Sequence, residues 1–182
     1  MHVNIEIKAA ANNHSEIRQI LKQKNAEFIG TDPQKDTYFR VNNGRLKLRE
    51  GNIENSLIHY NRENKQGPKQ SDVLLYKSNP KSSLKEILVN SLGVWVVVDK
   101  LREIYFIENV KFHIDRVEGL GNFAEIEAID KDGSLGVKKL TKQCNYYLEL
   151  FGIPDEQLMS ESYSDMLLKI SKSEDFKTSK DF

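Results

Sequence analysis

In six short stretches of this 182-residue chain, side chains that could do chemistry recur at every second residue. Lys47 and Arg49 alternate in GRLKLRE, Lys100 and Arg102 in DKLREIY, Tyr60 and Arg62 in HYNRE, His113 and Asp115 in FHID, and Glu125 and Glu127 in FAEIEA. Near the amino end, NIEIK sets Asn4, Glu6 and Lys8 in the same alternation. Residues i and i+2 of an extended strand share a face. Each stretch therefore presents one apolar face, such as Leu46 and Leu48 or Phe112 and Ile114, and one polar face whose sign depends on the strand. Basic pairs suit phosphate oxygens, arginine as a two-pronged donor and lysine as a point charge. Converging carboxylates suit a hard divalent cation such as Mg²⁺ or Mn²⁺. Together they describe a metal–polyphosphate site.

Two architectures produce this alternation. One is an antiparallel sheet with helices on one side and a solvated charged face on the other. The other is a sheet curled into a barrel, its polar face inside and opposite charges facing one another. Like charges two residues apart repel unless an opposite strand or a ligand neutralises them, and this clustering favours the barrel.

The elements that would position these residues are mostly short strands. After the first strand, NNHSEIRQILKQKN carries Ile17, Ile20 and Leu21 at helical spacing, with Asn13 and Glu16 placed as a capping box. AEFIGT, KDTYFRV, GRLKLREG, NSLIHYNRE and SDVLLYKS then read as strands separated by turn signals at DP, NNG, GN and QGPKQ. A second helix is expected in PKSSLKEILVNSLG, stopped by Gly93, followed by two strands that turn at Glu108 and Asn109, and by the strand FAEIEAID. SLGVKKLTKQCNYYLELFG predicts a third helix and SYSDMLLKI a short last one. The result is an α+β chain with eight or nine strands and three to four helices, organised as one domain over residues 1–170. The last dozen residues, 171–182, are polar and are expected to form a disordered tail.

Lys+Arg equals Asp+Glu at 27 each, so no net field points to nucleic acid, and electrostatic function must come from local segregation of charge. No apolar run approaches the roughly 20 residues that span a bilayer, which leads to the expectation of a cytoplasmic protein without membrane association. The single cysteine, Cys144, precludes an internal disulfide and sits at a packed helix position. There is no GxxxxGK[ST] loop, GLGNF at 119–123 reads as a turn between strands, and the four histidines lack metal-ligand spacing.

Taken in order, NIEIK, DTYF, GRLKLRE, KLREIY, HIDRVEGLGNFAEIE and SYSDMLL resemble the CYTH superfamily, the triphosphate tunnel enzymes, over about residues 2–170. The likeness is greatest to the class IV adenylyl cyclase branch, and HIDRVEGLGNFAEIE is its most specific part. The resemblance implies an eight-stranded antiparallel β-barrel with helices packed outside and a nucleoside or other organic triphosphate within. It further implies that Glu6, Glu125 and Glu127 bind Mg²⁺ or Mn²⁺, with Asp115 as a further ligand or behind them. Lys8, Arg49, Lys100 and Arg102 would act on the phosphates as catalytic cations, while Lys47, Arg62, Tyr60 and His113 complete substrate binding. Tyr38, Tyr60 and Tyr105 are expected to support the site or neighbour a nucleobase rather than react, with packing favoured over chemistry.

The chain departs from the family pattern at Asn4, where E-x-E-x-K has lost its first acid. Asparagine offers a carbonyl oxygen to a cation but no charge, which puts a two-metal mechanism in question. Three functions follow as expectations: conversion of ATP to cyclic AMP and pyrophosphate, hydrolysis of thiamine triphosphate or inorganic triphosphate, and binding without turnover. The tunnel ends and the third helix are the surfaces on which a homodimer would form.

Overall fold

The computed structural model describes the backbone of residues 2–178 except residue 63, and the side chains of that range except at 2, 3, 62 and 173–178. In chain order the elements are β1 (His2–Ala10), α1 (His14–Gln23), β2 (Glu27–Phe39), β3 (Arg45–Glu50), β4 (Ser56–Arg62) and β5 (Lys69–Lys77). They continue with α2 (Leu84–Leu92), β6 (Val94–Ile107), β7 (Val110–Val117), β8 (Gly121–Asp130), α3 (Val137–Leu150) and α4 (Tyr163–Thr178). The strands close in the order β1-β5-β4-β3-β2-β6-β7-β8, each paired antiparallel with its neighbours. This is the barrel, not the half-solvated sheet.

Alternation decides which side of the barrel each residue faces. Ile5 and Ile7 of β1, Phe112 and Ile114 of β7, and Ala124, Ile126 and Ala128 of β8 point outward. They are covered by Ile17 and Leu21 of α1 and by Leu140, Cys144 and Leu148 of α3. Burying each of the larger aliphatic side chains contributes roughly 1.5–3 kcal/mol, so this outer layer can carry a polar interior. Cys144 lies in that layer, its thiol donating to the carbonyl of Ile5 at 3.3 Å while burial pushes its pKa up to about 12. A second cluster of Tyr38, Ile58, Tyr60, Val98, Val117, Phe123 and Tyr163 joins strand residues to the start of α4.

Three local expectations change. Asp32-Pro33 does not turn the chain; β2 runs through it as one 13-residue strand. Pro33 lies where β2 pairs with β6 but not yet with β3, whose pairing begins at Lys35, so the missing N–H breaks no ladder on that side. The capping box at Asn13 and Glu16 does not form: the Asn13 amide donates to the carbonyl of Phe151 at 3.1 Å, tying α1 to the end of α3. The reciprocal box is built instead at α4, where the Ser162 hydroxyl accepts the N–H of Asp165 and the Asp165 carboxylate accepts the N–H of Ser162, both at 3.2 Å. Nor is the chain a tail from residue 171, because α4 continues to Thr178. Residues 171–178 hold no glycine or proline, so a helix nucleated upstream propagates through them. Residues 179–182 lie outside the described residues.

Candidate functional site: a charged tunnel

The polar faces of the strands enclose a cavity of about 670 Å³. Its wall includes Asn4, Glu6 and Lys8 of β1, Lys47 and Arg49 of β3, Lys100 and Arg102 of β6, His113 of β7, and Glu125 and Glu127 of β8. Tyr60 of β4 also lines it. Of the remaining residues implicated by the sequence, Asp115 lies buried beside the wall, and the side chain of Arg62 is outside those described. Tyr105 faces the other way, tilted against Phe28 with ring centroids 4.8 Å apart and bonded through its hydroxyl to Glu103.

Strand register sets the charges against one another. It places Lys8 opposite Glu125, Arg49 opposite Asp36, and Arg102 opposite Asp115. Arg102 grips Asp115 with Nε at 2.7 Å and also donates to Glu125 Oε2 at 2.7 Å. Glu125 receives Lys8 Nζ at 3.1 Å and pairs with His113 Nδ1 at 3.0 Å. Asp36 takes Arg49 Nε at 2.9 Å, Lys47 at 2.9 Å and Lys100 at 2.8 Å. Buried ion pairs of this kind seldom add stability over packed apolar side chains, so so many of them in one lumen argue for a task other than folding.

The exception to the alternation of sign is Glu6, which stands directly opposite Glu127. Burial raises the Glu127 pKa, Lys111 opposes the rise, and Glu6, Glu125 and Glu54 add to it. The Asn4 amide nitrogen donates to Glu127, leaving Asn4 Oδ1 buried without a partner among the described residues. Two facing carboxylates and an orphaned carbonyl oxygen form a hard-oxygen donor set. No three acidic or histidine side chains among the described residues make a ready-made metal cage. Mg²⁺ is ordinarily held by one or two carboxylates together with substrate phosphates, so the donor set fits it. Both Asp115 oxygens are engaged, by Arg102 and by the Tyr163 hydroxyl at 2.8 Å.

Protonation follows from this packing. Burial would raise Asp36, but Arg49, Lys100 and Lys47 outweigh it and hold the carboxyl well below its usual range. Because Asp36 shares its charge among three cations, it does not fully compensate any one of them. Burial pushes the Lys100 ammonium down to about 7, with Arg49, Arg102 and Lys47 adding to the effect. Burial, reinforced by Arg102 and Lys111, pushes His113 down to about 3. A neutral His113 that donates from Nδ1 to Glu125 leaves Nε2 as a bare acceptor, and that atom has no partner among the described residues.

Four wall or support residues carry no assignment from the sequence. Asp36 and Lys111 share the inward phase of Tyr38 and His113, so alternation alone could have identified them. Tyr38, expected to support the site or to neighbour a nucleobase, lines the lumen, with Lys47 Nζ 5.4 Å from its ring. Tyr163 enters from the first turn of α4, its ring under Lys8 Nζ at 3.7 Å. Glu54 lies on the loop between β3 and β4, where no periodicity signals it.

With this geometry in place, comparison with known proteins is informative. The model of the CYTH domain family matches residues 2–163. A candidate adenylate cyclase of Methanocaldococcus jannaschii is 27% identical over 179 residues, covering 90% of this chain and 98% of its own. The fold is shared with a Pyrococcus horikoshii protein, with a TM-score of 0.75 and 23% identity over 91% of this chain and 98% of that one. It is also shared with a candidate adenylyl cyclase from Hippeastrum described as having a dominant triphosphatase activity, with a TM-score of 0.59 and 16% identity over 94% and 96% of the two chains.

Proposed function

Because the chain belongs to the CYTH domain family, we propose that its tunnel binds the triphosphate of a nucleotide and, with Mg²⁺ or Mn²⁺, converts ATP to cyclic AMP and pyrophosphate in the manner of a class IV adenylyl cyclase. The observation that carries this reading is the register. Cations from four strands converge on one lumen, and a facing pair of carboxylates, Glu6 and Glu127, lies on the wall beside them.

Lys47, Arg49, Lys100 and Arg102 would exchange carboxylate oxygens for phosphate oxygens and hold the chain of phosphates in line. Asp115 and Tyr163 fix the plane of the Arg102 guanidinium, and Asp36 fixes that of Arg49. Glu6 and Glu127, with Asn4 Oδ1 and Glu125 beside them, would hold the metal, which when bound offsets charge on the phosphate oxygens. In the cyclisation the ribose 3′ oxygen bonds to the α-phosphorus, the bond from that phosphorus to the α,β-bridging oxygen breaks, pyrophosphate leaves with the electron pair, and the proton of the 3′ hydroxyl passes to solvent or to the departing pyrophosphate. The basic residues stabilise the charge accumulating on the leaving group, so no side-chain nucleophile is required. His113 Nε2 is the acceptor available to orient the attacking hydroxyl.

The activity described for the Hippeastrum protein favours a second reading, in which water attacks the terminal phosphorus. Incubation with ATP, thiamine triphosphate or inorganic triphosphate under metal titration, with cyclic AMP, pyrophosphate and phosphate measured separately, distinguishes the two. Equal amounts of cyclic AMP and pyrophosphate are expected from ATP; phosphate released from any of the three without cyclic AMP from ATP would replace the first reading by the second. Triphosphate bound without either product would leave a binding module.

A further inference from the structure

Glu54 is held in the lumen by a loop built for that purpose. The buried Asp32 carboxylate accepts the backbone N–H groups of Asn52, Ile53 and Glu54 at 2.6, 2.9 and 3.0 Å. The Asn55 side chain closes the loop, bonding the N–H of Gly51 at 3.2 Å and its carbonyl at 2.8 Å. A Cβ on Gly51 would lie 2.6 Å from an Asp32 oxygen, so the loop seats against Asp32 only because residue 51 has no side chain. Gln34 Nε2 then links Asp32, at 2.8 Å, to Glu54 Oε2, at 3.0 Å.

Held in this way, Glu54 engages cations from two separated strands. Its Oε2 accepts from Arg49 Nη1 at 2.8 Å and its Oε1 accepts from Lys111 Nζ. Asp36 also neutralises lumen cations, but its side chain is 3% exposed, whereas that of Glu54 is 24% exposed and faces the space a ligand would enter. An incoming phosphate oxygen that binds Arg49 or Lys111 must displace this carboxylate or lie beside it.

We propose that Glu54 makes the tunnel selective for metal-complexed triphosphate over the free anion, by occupying Arg49 and Lys111 where a phosphate oxygen would bind. A free triphosphate meets an added negative charge at close range in a poorly solvated cavity. The Mg²⁺ complex carries two fewer negative charges and is repelled less. The inference rests on the triphosphate reading above.

Isothermal titration of inorganic tripolyphosphate at pH 8 and low salt, once in EDTA and once in excess Mg²⁺, tests it on the intact wild-type chain and on Glu54→Gln. The substitution removes the charge and keeps the acceptor for Lys111. Free tripolyphosphate is expected to bind the variant about tenfold tighter, and its Mg²⁺ complex to change by less than about threefold. Glu54→Ala is expected to tighten binding of the free anion more than that of its Mg²⁺ complex, as Glu54→Gln does, which secures the result if the Gln variant folds poorly. Equal tightening of both forms, no change, or weaker binding in the variants overturns the proposal while leaving the triphosphate reading intact. Wild-type protein that binds neither form overturns both.

Discussion

Lys100 offers a direct chemical test of how the lumen meets its ligand. Its ammonium is 2.8 Å from Asp36 and faces Arg49 and Lys47 of β3 and Arg102 of its own strand. Burial, aided by those three cations, brings its pKa to about 7, so at pH 8 only about one molecule in ten carries a proton there. A triphosphate beside Lys100 supplies negative charge and restores the proton. Lys100 should therefore contribute an uptake of about 0.9 proton per site on binding at pH 8, superimposed on the ligand's own ionisation, which is common to wild type and variant. The uptake is read by isothermal titration of inorganic tripolyphosphate in buffers of different ionisation enthalpy. Lys100→Met should take up about 0.9 proton fewer than wild type, and His113, at about 3, is too far from protonation to contribute. The empty protein supplies a second readout. Between about 7 and 10.5 the unfolded chain holds a proton that the folded chain has lost, so wild-type stability rises with pH across that window, by at most ~5 kcal/mol. Lys100→Met should remove that rise. Equal proton uptake by wild type and variant at pH 8 would refute the reasoning.

Two other perturbations probe the facing acids. Glu127→Gln should raise the melting temperature of the metal-free protein at neutral pH, because it removes a buried carboxylate whose ionisation Glu6, Glu125 and Glu54 oppose, and should abolish metal-dependent turnover; scanning fluorimetry and a pyrophosphate assay read the two effects. Asn4→Glu places a third acid against Glu127, so the metal-free protein should melt at lower temperature while Mn²⁺ binds tighter in a direct titration.

The lumen was legible in the sequence where strands supply it. Period-two alternation assigns Glu6, Lys8, Lys47, Arg49, Lys100, Arg102, Glu125 and Glu127 to inward faces, because a strand fixes side-chain direction locally. Register is not local, and it alone shows that Glu6 faces Glu127 while Lys8 faces Glu125. The same nonlocality sets the partners of Asp115, because Tyr163 from a helix some 50 positions away joins Arg102 in its bonding. Glu54 was hidden because its direction comes from Asp32 holding a loop, which leaves no pattern in the residues between them. Asp32-Pro33 misled for a related reason: proline marks turns in isolation, but here it lies on a strand segment flanked on one side only.

In the proposed complex a triphosphate lies inside the barrel with a divalent cation at the facing acids. A crystal structure with a slowly hydrolysed ATP analogue and Mn²⁺, with anomalous data, tests it most directly. An anomalous peak is expected between Glu6 and Glu127, with phosphate oxygens within hydrogen-bonding distance of Arg49, Lys100 and Arg102. A triphosphate bound outside the barrel, or Mn²⁺ absent from those two glutamates while the phosphates occupy the lumen, would contradict it.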